Sequence, residues 1–171
     1  MSETSDANLP EPWLRGTLTE VNPVIRAVLH ALELAEEDIW KWCHPLTLDQ
    51  LNRAAGGVAP VAFHLRHIAR SLDRLLTYAE GGQLNDEQWE ARRGEAKDAS
   101  SREEVFEELS AAIERSKKRL VALQVVDFAA ERAVGTKRLP TTAGGLVVHI
   151  ADHTQRHAGQ AITTAKIVGP Q

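Results

Sequence analysis

Four runs of apolar residues, each recurring every three to four positions, constrain this chain more than any other feature. That period is helical, so each run predicts a helix with one face turned to a core. The first opens at Asn22-Pro23, a capping side chain followed by proline at the first helical position. It continues through Val24, Val28, Leu32, Ala35 and Ile39 to about Trp42, with Pro45 as its stop. The second starts near Pro60 and carries Val61, Leu65, Ile68, Leu72, Leu75 and Leu76, and Gly81-Gly82 ends it. The third follows Ser100-Ser101-Arg102-Glu103, which has the form of a capping box, and runs through Val105, Leu109, Ile113, Leu120 and Leu123. Its other face, from Glu103 to Arg119, is charged and reads as a solvated surface. The fourth spans about Thr142 to Ile167 with Leu146, Ile150, Ile162 and Ile167, closed by Gly169-Pro170.

Between these runs the period breaks. Gly56, Gly57 and Pro60 mark a turn region. Residues 83 to 99 are polar and read as a loop or a short turn of helix. Residues 125 to 141, punctuated by Gly135 and Pro140, have room for a short strand at Ala133-Val134. Residues 1 to 20, with Pro10 and Pro12, read as an extended N-terminal arm. Four amphipathic helices predict an all-α fold, a four-helix bundle, with residues 1–171 forming a single domain.

Charge and cysteine content narrow the function. The net charge is -4 with both signs scattered, and no basic face points to nucleic acid. No apolar stretch approaches the roughly 20 residues needed to span a bilayer. Cys43 is the one cysteine, so no internal disulfide can form, and it reads as a small buried hydrophobe. The polar N-terminus lacks the pattern of a signal peptide. The expectation is a cytoplasmic protein acting on a small molecule, with no membrane and no nucleic-acid partner. Trp13, Trp40, Trp42 and Trp89 read as core or interface packing rather than as a substrate pocket.

Histidine placement carries the chemistry. The fourth helix holds His149, His153 and His157 at intervals of four, on one face and roughly 6 Å apart along the axis. Two neighbouring imidazoles at that spacing converge on one cation, but the outer pair, roughly 12 Å apart, does not. The second helix offers His64 and His67. If the two faces meet, one of these completes a three-histidine set with open coordination positions. Spacing alone leaves open which of His64 and His67 takes part, and whether His149 or His157 joins His153. His30 and His44 read as structural or surface residues.

The stretches HLRHIARSLDRLLTYAEG and HTQRHAGQ resemble the DinB-like (DinB/YfiT) metalloenzyme superfamily, and the resemblance covers nearly the whole chain. The family pattern has a histidine-isoleucine element, here His67-Ile68, and a later HxxxHxGQ element, here His153, His157, Gly159 and Gln160. The resemblance implies a divalent metal, nickel or zinc, held by His67, His153 and His157. It also implies a four-helix bundle of up-down-down-up order, often a homodimer. Members with assigned activities include S-transferases that use a low-molecular-weight thiol such as bacillithiol or mycothiol, and a glutathione-using isomerase. His64 and His149 are extra to this pattern, and His149 either lines the cavity mouth or is a polar residue one turn away. Gly159 is expected to let a neighbouring helix approach the metal. Arg156 and Gln160 are candidate pocket residues, with a surface role favoured for Arg156.

A cation with three neutral imidazoles keeps its charge and favours the anionic form of a thiol or water. The reading is therefore a metal-dependent enzyme, foremost a thiol-dependent S-transferase. The alternatives are a metal-dependent hydrolase and a non-catalytic metal-binding helical module. No glutamate directly follows a ligand histidine, which disfavours the metalloprotease pattern. Asp73 or Asp38 is a candidate base or a partner for a ligand's second nitrogen. No catalytic residue beyond the histidines is assigned.

Overall fold

A computed structural model describes residues 9–169 of the chain. The first eight residues of the expected arm lie outside the described residues, as does Pro170. The rest of the arm is not simply extended: Pro12–Leu14 form a 3-10 turn, and Leu18 sits at a positive φ of 57°.

The four predicted helices are present as α1 (Pro23–Cys43), α3 (Val61–Ala79), α5 (Arg102–Ala122) and α6 (Ala143–Val168). Two short helices lie between them, α2 (Leu48–Asn52) and α4 (Asp86–Arg93). Neither had enough turns to register as a period. Local capping makes them: Thr47 and Asn85 each form a reciprocal capping box with the glutamine three residues on. Residues 125–141 resolve into a hairpin of β1 (Glu131–Val134) and β2 (Leu139–Thr142), antiparallel, with Ala133 opposite Pro140. This extends the short strand expected at Ala133-Val134.

Helix ends follow the sequence closely. Asn22 accepts from the Val24 amide at 2.9 Å, with Pro23 in the first turn. Gly81, at a φ of 91°, closes α3, and the Gly82 amide returns to the Thr77 carbonyl at 2.8 Å. One cap is displaced. Ser101 caps α5 by accepting from the Glu104 amide, so the box expected from Ser100 to Glu103 is shifted by one residue and lacks its return bond.

Packing directions come from named pairs. Gln155 of α6 donates to the Ala31 carbonyl of α1 at 2.7 Å, and three turns further on Lys166 lies over the Trp42 ring, so α1 and α6 run parallel. Arg70 pairs with Glu108, and Glu80 with Arg119, so α3 and α5 run parallel. Across the other two contacts the helices oppose. Glu36 meets Lys117 while Trp40 meets Phe106, and α3 meets α6 with His64 beside His157 and His67 beside His153.

The core between them holds fully buried Ile25, Leu32, Ile39, Leu65, Ile68, Leu72, Leu109, Ile113 and Ile150. Cutting one of these large side chains back to alanine costs about 2–5 kcal/mol. The C-terminal half of α6 buries small residues instead: Thr154, Ala158, Ala161 and Ala165. Small side chains let α6 lie close to its neighbours there, beside His153 and His157. The tryptophans are not core residues. Trp13 is 61% exposed and Trp40 and Trp42 are each 40% exposed, so the core-packing expectation fails for them. Among the described residues, no helix is long and apolar enough to cross a membrane.

Candidate metal centre

One face of α3 carries His64 and His67, and one face of α6 carries His153 and His157. Because the helices oppose, His67 reaches His153 while His64 reaches His157. The structure gathers His67, His153 and His157 into a group whose candidate ligand atoms all lie within 4.8 Å of one another. All three side chains are half-buried. His67 Nε2 and His153 Nε2 are 3.2 Å apart. Two nitrogens on one tetrahedral zinc, each about 2.05 Å from it, stand about 3.3 Å apart. The spacing of this donor pair fits such an ion.

Protonation favours donation as well. Burial pushes the His153 imidazole down to about 4, with further lowering from His67, His149 and the nearby arginines. Burial likewise pushes His157 down to about 3, with His67, His153 and His64 adding to it. His64, 5% exposed, is pushed to about 4 by burial and by His67. Near neutral pH these rings therefore offer lone pairs rather than positive charge.

A carboxylate that the sequence pattern did not mark stands behind the cluster. Glu95 Oε2 lies 2.8 Å from His67 Nδ1, and Glu95 Oε1 accepts from Arg74. Burial raises the Glu95 carboxyl, but the hydrogen bonds from His67 and Arg74 outweigh this and hold it below the usual carboxylate range. A charged Glu95 accepts the His67 Nδ1 proton and leaves the Nε2 lone pair facing His153, the carboxylate–histidine arrangement common behind metal ligands. Glu95 sits on an irregular connection 28 residues from His67, so no helical spacing points to it. Three arginines of α3 fix that connection: Arg66 donates to the Lys97 carbonyl, Arg70 to the Ala91 carbonyl, and Arg74 to Glu95. Their spacing of four on α3 was the available signal.

Asp73 and Asp38 do not have the role suggested for them. Asp73 accepts from Arg119 and from Gln88, each at 2.6 Å, and neither aspartate contacts the histidines. Gly159 also departs from expectation: a Cβ built there meets nothing within 4 Å, so no neighbouring helix approaches it. Gln160 is exposed, and Arg156 is exposed and bonded to Asp152 at 2.7 Å, which places both at the surface. His149 sits at the rim, with its ring centroid 5.4 Å from that of His153 and its Nδ1 3.4 Å from Asp152. Phe63 stacks on His67 with centroids 5.5 Å apart and covers one side of the cluster.

The remaining singled-out residues are structural. His30 is buried and bonds Thr17, while His44 packs between Trp40 and Phe106. Cys43 is fully buried, and burial pushes its thiol up to about 12. A cavity of about 880 Å³ lies between the N-terminal turn and α1, lined by Arg15, Glu37 and Trp40, away from the histidines.

Among curated proteins, no sequence matches this chain. The family model of the DinB superfamily, in contrast, matches residues 31–161 and so runs from the middle of α1 through most of α6, with all three clustered histidines inside it. A match over that share of the chain settles its kinship: the chain belongs to the DinB superfamily.

Proposed function

We propose that this chain is a metal-dependent enzyme whose divalent cation, nickel or zinc, is held by His67, His153 and His157. The observation that carries the reading is the convergence of three imidazoles from two opposed helices within 4.8 Å. No carboxylate belongs to that set, so its ligands would leave the cation's charge undiminished. Bound there, the cation supplies Lewis acidity, lowering the pKa of a thiol or water that reaches it. The reaction we favour is transfer of a low-molecular-weight thiol to a small electrophile.

The chain's own residues prepare the site. Glu95 takes the Nδ1 proton of His67 and holds the ring, and Arg74 in turn keeps Glu95 ionised. Phe63 shields the flank of His67 from water. The family resemblance also supports a single domain and a homodimer, and the lone cysteine, Cys43, supports a reducing, cytoplasmic setting. The helix directions support an up-down-down-up four-helix bundle.

The test is an activity panel on nickel- and zinc-loaded protein, combining glutathione, bacillithiol and mycothiol with small electrophiles. Thiol transfer that disappears in His153→Ala supports the proposal. Full metal occupancy with no turnover across the panel would leave a binding module instead, and ester hydrolysis without thiol would make it a hydrolase.

A further inference from the structure

Each of the three clustered histidines has a polar neighbour at Nδ1. Glu95 Oε2 stands 2.8 Å from His67 Nδ1, Ser71 Oγ 3.4 Å from His153 Nδ1, and His64 Nδ1 3.1 Å from His157 Nδ1. A histidine whose Nδ1–H is engaged presents an Nε2 lone pair. For His67 and His153 those Nε2 atoms already face each other at 3.2 Å.

His64 is not a fourth ligand in this arrangement. It falls outside the group whose candidate atoms all lie within 4.8 Å. Two nitrogens on one zinc or nickel ion stand at most about 4.2 Å apart, twice the bond length. It is nevertheless a buried imidazole aimed at a ligand, on the helix that supplies His67. Only one proton can occupy the contact between the two Nδ1 atoms. If His64 supplied it, His157 would carry its own proton on Nε2, which would then be unable to bind a cation.

We propose that His64 is a positioning residue: its Nδ1 lone pair accepts the Nδ1–H of His157 and so fixes His157 as an Nε2 ligand. His64 thus does for His157 what Glu95 does for His67, without adding charge beside the cation. Hydrogen-bonding groups at this remove from a metal commonly contribute about 10- to 100-fold in affinity. The inference rests on the three-histidine metal reading above.

The experiment has a part that needs no metal. Long-range proton–nitrogen correlation spectra of metal-free protein labelled with ¹⁵N-histidine, at about pH 7.5, report which nitrogen of His157 is protonated. The expected result is the Nδ1–H form, with His157 drifting to the Nε2–H form favoured in water in His64→Leu. Zinc titration is the second part. His64→Leu should weaken zinc binding about 10- to 100-fold, and His64→Asn, whose amide oxygen can stand where Nδ1 was, should recover most of it. A parent His157 protonated on Nε2, or unchanged zinc affinity in His64→Leu, would overturn the inference with the metal site intact. A parent that keeps the Nδ1–H form but binds no zinc would overturn the metal reading and leave the His64 contact standing.

Discussion

Replacing Glu95 by alanine removes two partners at once, the Nδ1 acceptor of His67 and the counter-charge of Arg74. Both charged groups are largely buried, and a buried cation left alone is costly. Glu95→Ala should therefore destabilise the fold by about 3 kcal/mol, while Asp73→Ala, at an exposed pair, should stay within about 1 kcal/mol. Urea midpoints of the two variants check this. A similar small loss in both would mean that the Glu95–Arg74 pair adds little to the stability of the fold. Histidine spacing could not mark Glu95, because its partner is 28 residues away and no single helix holds both. The histidines were legible because a helix places residues four apart on one face. Spacing could not choose between His64 and His67, because both occupy the face that meets α6, and only their distances to His153 and His157 separate a ligand candidate from its neighbour.

Two glycines of α6 separate packing from propensity within one element. At Gly144 an added Cβ would come within 2.9 Å of Phe128 Cβ and 3.1 Å of its carbonyl oxygen, so the helix start touches the connection before β1. Gly144→Ala should cost about 1–3 kcal/mol. At Gly159 an added Cβ meets nothing, and alanine there should stabilise α6 by about 0.5–1 kcal/mol. Denaturant midpoints of the pair give opposite signs on this account. Destabilisation by Gly159→Ala would show that something approaches that face after all. The long helices were readable at this scale since their apolar stripes persist over several turns. Of the short helices, α4 reads only as a loop or a short turn of helix and α2 does not register, because eight and five residues hold too few turns and only the Asn85 and Thr47 capping boxes mark them.

Taken whole, the molecule sets three histidines in a region that disfavours their charged forms. Those of His64, His153 and His157 are lowered from about 6.5, to about 4, about 4 and about 3. Between about pH 6.5 and those values the unfolded chain binds protons that the folded chain does not. Stability therefore rises with pH across that window. The metal-free protein should lose thermal stability as pH falls from about 7 towards about 4, and His153→Phe should flatten the slope. An equally steep slope in that variant would place the titration elsewhere. A bound cation adds to the stability of the folded chain. Zinc at a hundredfold excess over its Kd adds about 2.7 kcal/mol, which for a chain of this size raises Tm by about 5–10 °C. A chelator should remove that gain, and an unchanged melting curve with and without zinc would contradict it.

The most direct test of the three-histidine centre is the metal content of protein purified without a histidine tag, measured beside His153→Ala. Close to one equivalent of nickel or zinc is expected in the parent, or uptake of one equivalent on titration, and little in the variant. A parent that takes up neither ion from excess, or a variant that holds as much as the parent, would contradict that centre.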